Sequence, residues 1–126
     1  MGMDQTVTFG GKPIPSWSAV RDLLGAKGFA LQMRMIDGQL AFPGEEPPDL
    51  WTELRVGTPH GMVTVRHGES QVTLVTWGNA DLPMRQAWNA LTWAFAEAGG
   101  GQVLTLGGAL SPSAFRQLAE IPVELG

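Results

Sequence analysis

Two stretches of the chain alternate apolar and polar residues on either side of a tight-turn signal. In "FALQMRMIDGQLAFP" (29–43) the turn signal is Asp37-Gly38, and in "GMVTVRHGESQVTLVTW" (61–77) it is Gly68-Glu69. Glycine-containing dipeptides of this kind supply the positive φ angles that two-residue hairpin turns need. Strands joined by such turns run antiparallel, so the sequence predicts a largely antiparallel sheet.

The same turns predict which side chains share a face of each hairpin. In the first hairpin the opposed apolar pairs are Met35 with Leu40 and Met33 with Phe42. In the second they are Val65 with Val72 and Val63 with Leu74. We therefore expect each hairpin to turn one apolar face toward a core, with its threonines and arginines on the other face.

Helical patterns separate and follow these hairpins. The first helix begins at Ser16 or Ser18 as N-cap, and the second spans about 82–98, with Asn79 or Asp81 as N-cap. A short third helix opens at Ser111 and Pro112. The proline-rich and acidic segment "PGEEPPDL" (43–50) is typical of an exposed connection.

These elements predict one α+β domain that covers residues 1–126, with a short N-terminal tail at about 1–5. A chain of 126 residues is an ordinary size for one domain and buries roughly two-thirds of its unfolded surface. We expect a single, largely antiparallel β-sheet built from hairpins, with two to three helices packed on one face.

Charge and composition exclude several classes of function. The net charge is −4 and no block of Lys or Arg occurs, which argues against binding to nucleic acid or to anionic membranes. The chain has no cysteine, and it shows neither a signal-peptide pattern nor an apolar run near the ~20 residues that cross a bilayer. A soluble, cytoplasmic protein is the default expectation.

The second predicted helix has apolar side chains on two sides. Its main apolar stripe consists of Met84, Trp88, Leu91 and Phe95. Trp93 lies about half a turn away from that stripe, among Gln86, Asn89 and Glu97. One sheet covers only one side of a helix, so three coverings remain open for Trp93: the chain's own terminal segment or loop 43–50, another protein chain, or a ligand ring.

The leading hypothesis is a non-enzymatic protein-interaction module that binds a protein partner or a second copy of itself. Its predicted interface is the helix face that carries Trp93, Gln86, Asn89 and Glu97. Tryptophan is enriched at the centres of protein interfaces, and the sequence offers no convergent set of catalytic residues. The sequence predicts no metal site and no cofactor.

The alternative is a small-molecule or anion-binding domain, or a weak enzyme, with a pocket between sheet and helices. For an anion the candidates are Gly107, Gly108, Ser111 and Ser113, at the start of the last helix. The best polar pair is His67 with Glu69 in the predicted turn. The acidic residues Glu45, Glu46 and Asp49 favour a solvated loop over a cation site, and the methionines are interpreted as core residues.

Overall fold

The computed structural model describes residues 2–48, 50–105 and 107–118. Within these ranges the chain forms eight strands and three helices. The strands are β1 (Gly2–Thr8), β2 (Gln32–Ile36), β3 (Gln39–Leu40), β4 (Glu53–Thr58), β5 (Gly61–Gly68), β6 (Gln71–Trp77), β7 (Gln102–Thr105) and β8 (Gly108–Leu110). The helices are α1 (Trp17–Gly25), α2 (Leu82–Gly99) and α3 (Pro112–Leu118).

All eight strands join one antiparallel sheet, in the order β3-β2-β4-β5-β6-β1-β7-β8. The three helices pack on one face of it, so the predicted α+β fold is confirmed. The predicted N-terminal tail is wrong, because β1 already begins at Gly2 and pairs with β6 and β7 in the interior of the sheet. The alternation of apolar and polar residues along β1 is interrupted by Gln5, a polar residue that faces the helices.

The first hairpin turns as predicted but does not keep one apolar face. Asp37 and Gly38 adopt positive φ angles of 51° and 84°, and Met35 pairs with Leu40. A β-bulge between Met33 and Met35 shifts the register against β4. Because of the extra residue, Met33 is buried beneath the helices while Met35 pairs with Arg55 and faces the other way. The prediction of a single apolar face is therefore wrong here.

The second hairpin is offset by two residues from the predicted register. Its turn is centred on Glu69 and Ser70, with Ser70 at a φ of 57°, and Val65 pairs with Leu74. An even shift leaves every side chain on its predicted face. It does move His67 out of the turn and into β5, opposite Val72.

The first two helices begin at the predicted capping residues. Ser16 Oγ accepts a hydrogen bond from the Ala19 N–H at 3.2 Å, and Asp81 Oδ1 accepts one from the Met84 N–H at 3.0 Å. Helix α2 ends at Gly100, whose φ is 63°. Within the described part of the chain, no helix combines the length and the apolarity needed to span a membrane.

Helix α2 is enclosed on all sides. The ten consecutive residues 87–96 are all buried, and ten consecutive helical residues point in every direction around the axis. The sheet covers one side through β1, β5, β6 and β7, while α1 and α3 cover others. Trp17 of α1 lies 6.4 Å from Phe95, measured between ring centres. Three neighbours thus shelter a helix that has two apolar sides.

Candidate functional site

The predicted interface around Trp93 is not an exposed surface. Trp93 is 4% exposed, and the guanidinium carbon of Arg116 on α3 lies 5.1 Å from the centre of its ring. Asn89 is also buried, Gln86 is half-buried and Glu97 is exposed. The four residues of the predicted interface therefore do not form one exposed face. Of the three coverings left open for Trp93, the chain's own terminal helix is the one present.

Asn89 faces the sheet because β1 supplies a polar partner there. The Gln5 side-chain amide donates to Asn89 Oδ1 at 3.1 Å and to Thr92 Oγ1 at 3.0 Å. Thr92 Oγ1 in turn donates to the Trp88 carbonyl at 2.9 Å. Polar side chains are tolerated between helix and sheet when they are hydrogen-bonded in this way. Helical periodicity alone assigns Asn89 to water, because it does not include Gln5.

The predicted anion-binding residues are not brought together. Gly107 and Gly108 lie in the hairpin between β7 and β8, where Thr105 Oγ1 accepts from the Gly107 N–H and donates to the Gly108 carbonyl. Gly108 is the first residue of β8, and the rest of that strand separates it from Ser111, which caps α3 by accepting from the Ala114 N–H. Ser113 lies exposed in the first turn of that helix. The hydrogen bonds of Gly107, Gly108 and Ser111 are thus local, and the four residues do not converge on one point.

The pair His67 and Glu69 is also not formed, but His67 lines a cleft. Its ring meets the edge of the Trp51 ring at 4.8 Å between centres, while Glu69 is exposed in the turn. The cleft has a volume of about 320 Å³ and lies between the start of α1, residues 46–48 and β5. Its polar lining comes from Ser16, Ser18, Glu46 and His67.

The acidic loop has structural partners. Glu46 Oε1 accepts from Arg21 Nη1 at 2.8 Å, and this hydrogen bond raises the pKa of Arg21. Glu45 Oε1 accepts from the Phe42 N–H at 3.2 Å. Asp49, the third acid of the predicted cluster, lies outside the described residues. Among the residues that are described, no group of three or more His, Cys, Asp or Glu is placed to hold a metal ion.

The sheet face opposite the helices, here called the open face, is not covered by any described helix or loop. Burial alternates along β5, β6 and the first four residues of β4, so every second residue points to this side. Its side chains on the central strands include Asp4, Thr6, Glu53, Arg55, Met62, Thr64, Arg66, Thr73, Val75 and Trp77. None of these ten side chains is buried.

Apolar side chains lie at one end of the open face. Trp77 is 60% exposed and Met62 is 41% exposed. Together with Arg55, Thr64 and Val75 they line a shallow groove of about 390 Å³. The interpretation of Met62 as a core residue is wrong. Met62 and Thr64 are two residues apart on β5, so both lie on the face that points away from the helices. The same period of two places Trp77 on the polar side of β6, a signal that sequence reasoning missed.

Three arginine side chains lie on the open face, and one of them, Arg55, lines the groove. Arg66 pairs with Glu53 at 3.5 Å, whereas Arg55 makes no ion pair with any residue in the described ranges. Arg34, the extra residue of the bulge, lies across Gly57 on the same face, so that a Cβ at position 57 would lie 2.8 Å from Arg34 Nε. Glycine at this position lets the guanidinium lie flat on the sheet.

The two surfaces offer different chemistry. The open face presents an indole, a thioether and guanidinium groups to water, which suits contact with another macromolecule. The cleft beside His67 presents an imidazole, a carboxylate and hydroxyls, which suits a small polar molecule.

Comparisons of the chain with family models, with curated proteins and with solved structures found no match.

Proposed function

We propose that the protein is a non-catalytic protein-interaction module that binds its partner through the open face. The exposure of Trp77, 60%, and of Met62, 41%, on a sheet face without a described cover is the observation that supports this most strongly. Trp, Met and Arg are the residue types enriched in protein interfaces, and Trp and Arg supply most binding hot spots. All three types meet around one groove.

The edges of the sheet are less suited to binding than its face. Strand β3 has two residues and β8 has three, so neither offers a long row of free backbone groups. Just after β3, the Glu45 carboxylate already accepts the Phe42 N–H. A partner that adds a strand needs a longer free edge than this.

Self-association through Trp93, the interface favoured by the sequence, loses its support once α3 is in place. A second copy would reach the indole only after α3, with Arg116 and the buried Phe115, had moved away. We therefore propose the opposite side of the molecule as the binding surface.

Position-specific photocrosslinking tests the proposal in native host cells. A benzophenone amino acid replaces Thr64, which lines the groove, and in a matched control it replaces Glu97, which is exposed on α2. We expect a discrete protein adduct from position 64 and none from position 97. Mass spectrometry of the adduct identifies the partner.

Two results would contradict the proposal. One is an adduct that forms equally well from both positions, because contact would then be indiscriminate. The other is an adduct from position 97 alone, because the partner would then bind the helix side. Adding Trp77→Ala to the position-64 variant sharpens the test, since the adduct should then be lost.

The cleft beside His67 supports a second candidate function, the binding of a small polar molecule. Its volume of about 320 Å³ is at the lower end of the range typical of ligand sites, and no described residue hydrogen-bonds the His67 ring nitrogens. An NMR fragment screen tests it. Shifts confined to residues 16–18, 46–48 and 67 would support a ligand site, and the absence of any fragment that shifts them would contradict it.

A further inference from the structure

We infer that the partner of the open face is a different protein, which presents an apolar anchor residue flanked by carboxylates. This inference rests on the proposed function and specifies the chemistry of the occupant. It is carried by the distribution of charge on the open face and by the groove between Met62 and Trp77.

The sign of charge on the open face is opposite to that of the whole chain. The chain has eight basic and twelve acidic residues, a net charge of −4. The open face carries the basic residues Arg34, Arg55 and Arg66 and the acidic residues Asp4 and Glu53. Three bases against two acids give this face a net charge of +1.

Neither of the two acids lines the groove. Glu53 lies two residues from Arg55 on the same strand face, but it pairs with Arg66 at 3.5 Å and is therefore already engaged. Asp4 lies three strands away from Arg55. Thr64 and Val75 are the cross-strand neighbours between them. Three strand spacings separate the two backbones by about 14 Å, which exceeds the Debye length of about 8 Å at physiological salt. Arg55 and Arg34 are therefore available to an outside carboxylate.

The chemistry of these cations favours a carboxylate ligand. The described strands of the open face carry arginine and no lysine. A guanidinium binds a carboxylate through two parallel hydrogen bonds and is more weakly hydrated than an ammonium group. An aliphatic or aromatic side chain in the groove would place acidic neighbours beside Arg55, which lines the same groove.

A second copy of the chain is a poor occupant for the same reason. In a two-fold symmetric dimer the same patch lies on both subunits, so each copy would bring the same excess of positive charge to the interface. Like charges opposed across an interface disfavour association. The occupant is therefore a different, acidic protein.

Peptide display on the intact chain tests the inference, with a random peptide library as the probe. We expect the enriched sequences to combine one large apolar residue with two or more Asp or Glu. A synthetic peptide of that consensus should bind at least about tenfold more weakly to Arg55→Glu, whereas Lys27→Glu, a control on the connection after α1, should change affinity less than about twofold. Added salt should weaken binding to the native chain.

The possible failures are distinguishable. A neutral or basic consensus that still requires Trp77 would overturn the acidic partner and leave the open face as the binding surface. Enriched peptides that bind Trp77→Ala and Arg55→Glu as well as the native chain would overturn both proposals. If the native chain enriches peptides no more strongly than the Trp77→Ala variant does, both proposals would also be overturned.

Discussion

The two faces of the sheet are built from the same strands but carry different constraints. On β6, Leu74 is fully buried beneath α2, while its neighbour Val75 is only half-buried and Trp77 is 60% exposed on the open face. The covered face is fixed by close packing with the helices. On the open face no described helix packs against the side chains, so they are available for binding. Mutations on the covered face should therefore lower the free energy of unfolding more than mutations on the open face.

The largest effect is expected from Leu74→Ala on the covered face. Removing this fully buried side chain should lower the free energy of unfolding by about 2–5 kcal/mol, because it loses apolar burial and leaves a cavity. The matched variant on the same strand, Trp77→Ala, should change it by about 0.5 kcal/mol or less. Urea denaturation measures both. Equal losses would mean that the open face is part of the core.

Gly101→Ala should cost about 1–3 kcal/mol of unfolding free energy. A Cβ at position 101 would lie 2.7 Å from the Thr8 carbonyl oxygen and 2.8 Å from the Phe9 ring, and a backbone atom cannot move aside cheaply. Gly107→Ala is the control, since its nearest neighbour, Thr105 Oγ1, lies at 3.8 Å. Thermal melting compares them, and a control as unstable as Gly101→Ala would contradict this account.

Two threonine substitutions compare how much a hydroxyl group on each face contributes to stability. Thr92→Val removes a buried hydroxyl that accepts from Gln5 and donates to the Trp88 carbonyl, which should cost about 1–2 kcal/mol. Thr73→Val removes a part-buried hydroxyl on the open face, whose partner is Thr6 at 3.2 Å. It should cost about 0.5 kcal/mol or less. If urea denaturation reverses this order, the polar contact between α2 and β1 is not a stabilising one.

The smallest effect concerns pH and the turn of the first hairpin. Hydrogen bonds from the Glu53 and Thr52 N–H groups and from the Thr52 hydroxyl hold the pKa of Asp37 below its ordinary value. A lowered pKa in the folded state stabilises the fold above the ordinary pKa of about 4, and this contribution is lost as pH falls through the folded value. Asp37→Asn should therefore destabilise the protein at neutral pH, and the difference from the native chain should shrink on acidification. Denaturation curves between about pH 2 and pH 7 measure it, and a difference that grows toward low pH would contradict the assignment.

The sequence was sufficient for most features that depend on near neighbours, although the turn of the second hairpin lies one residue later than predicted. The Asp37-Gly38 turn and the caps of α1 and α2 are where their residue types predict, and the antiparallel α+β fold follows from the hairpins. The bulge at Arg34 was not predictable, because it depends on how β2 pairs with β4, about twenty residues later. It reverses the face of Met35.

The candidate site depended even more on distant contacts. Asn89 faces inward because Gln5, 84 residues away, hydrogen-bonds it, and Trp93 is covered because α3 packs over α2. Alternation along β6 predicts that Trp77 and Leu74 lie on opposite faces of the sheet. It does not tell which of the two faces the helices will cover, and that choice decides which tryptophan is exposed.

The most direct test of the account measures two properties of Trp77→Ala together. These are the free energy of unfolding and the yield of the photocrosslinked adduct from position 64. If the open face serves binding and not folding, the free energy should change by about 0.5 kcal/mol or less while the adduct disappears. A loss of several kcal/mol, or an adduct of undiminished yield, would contradict it.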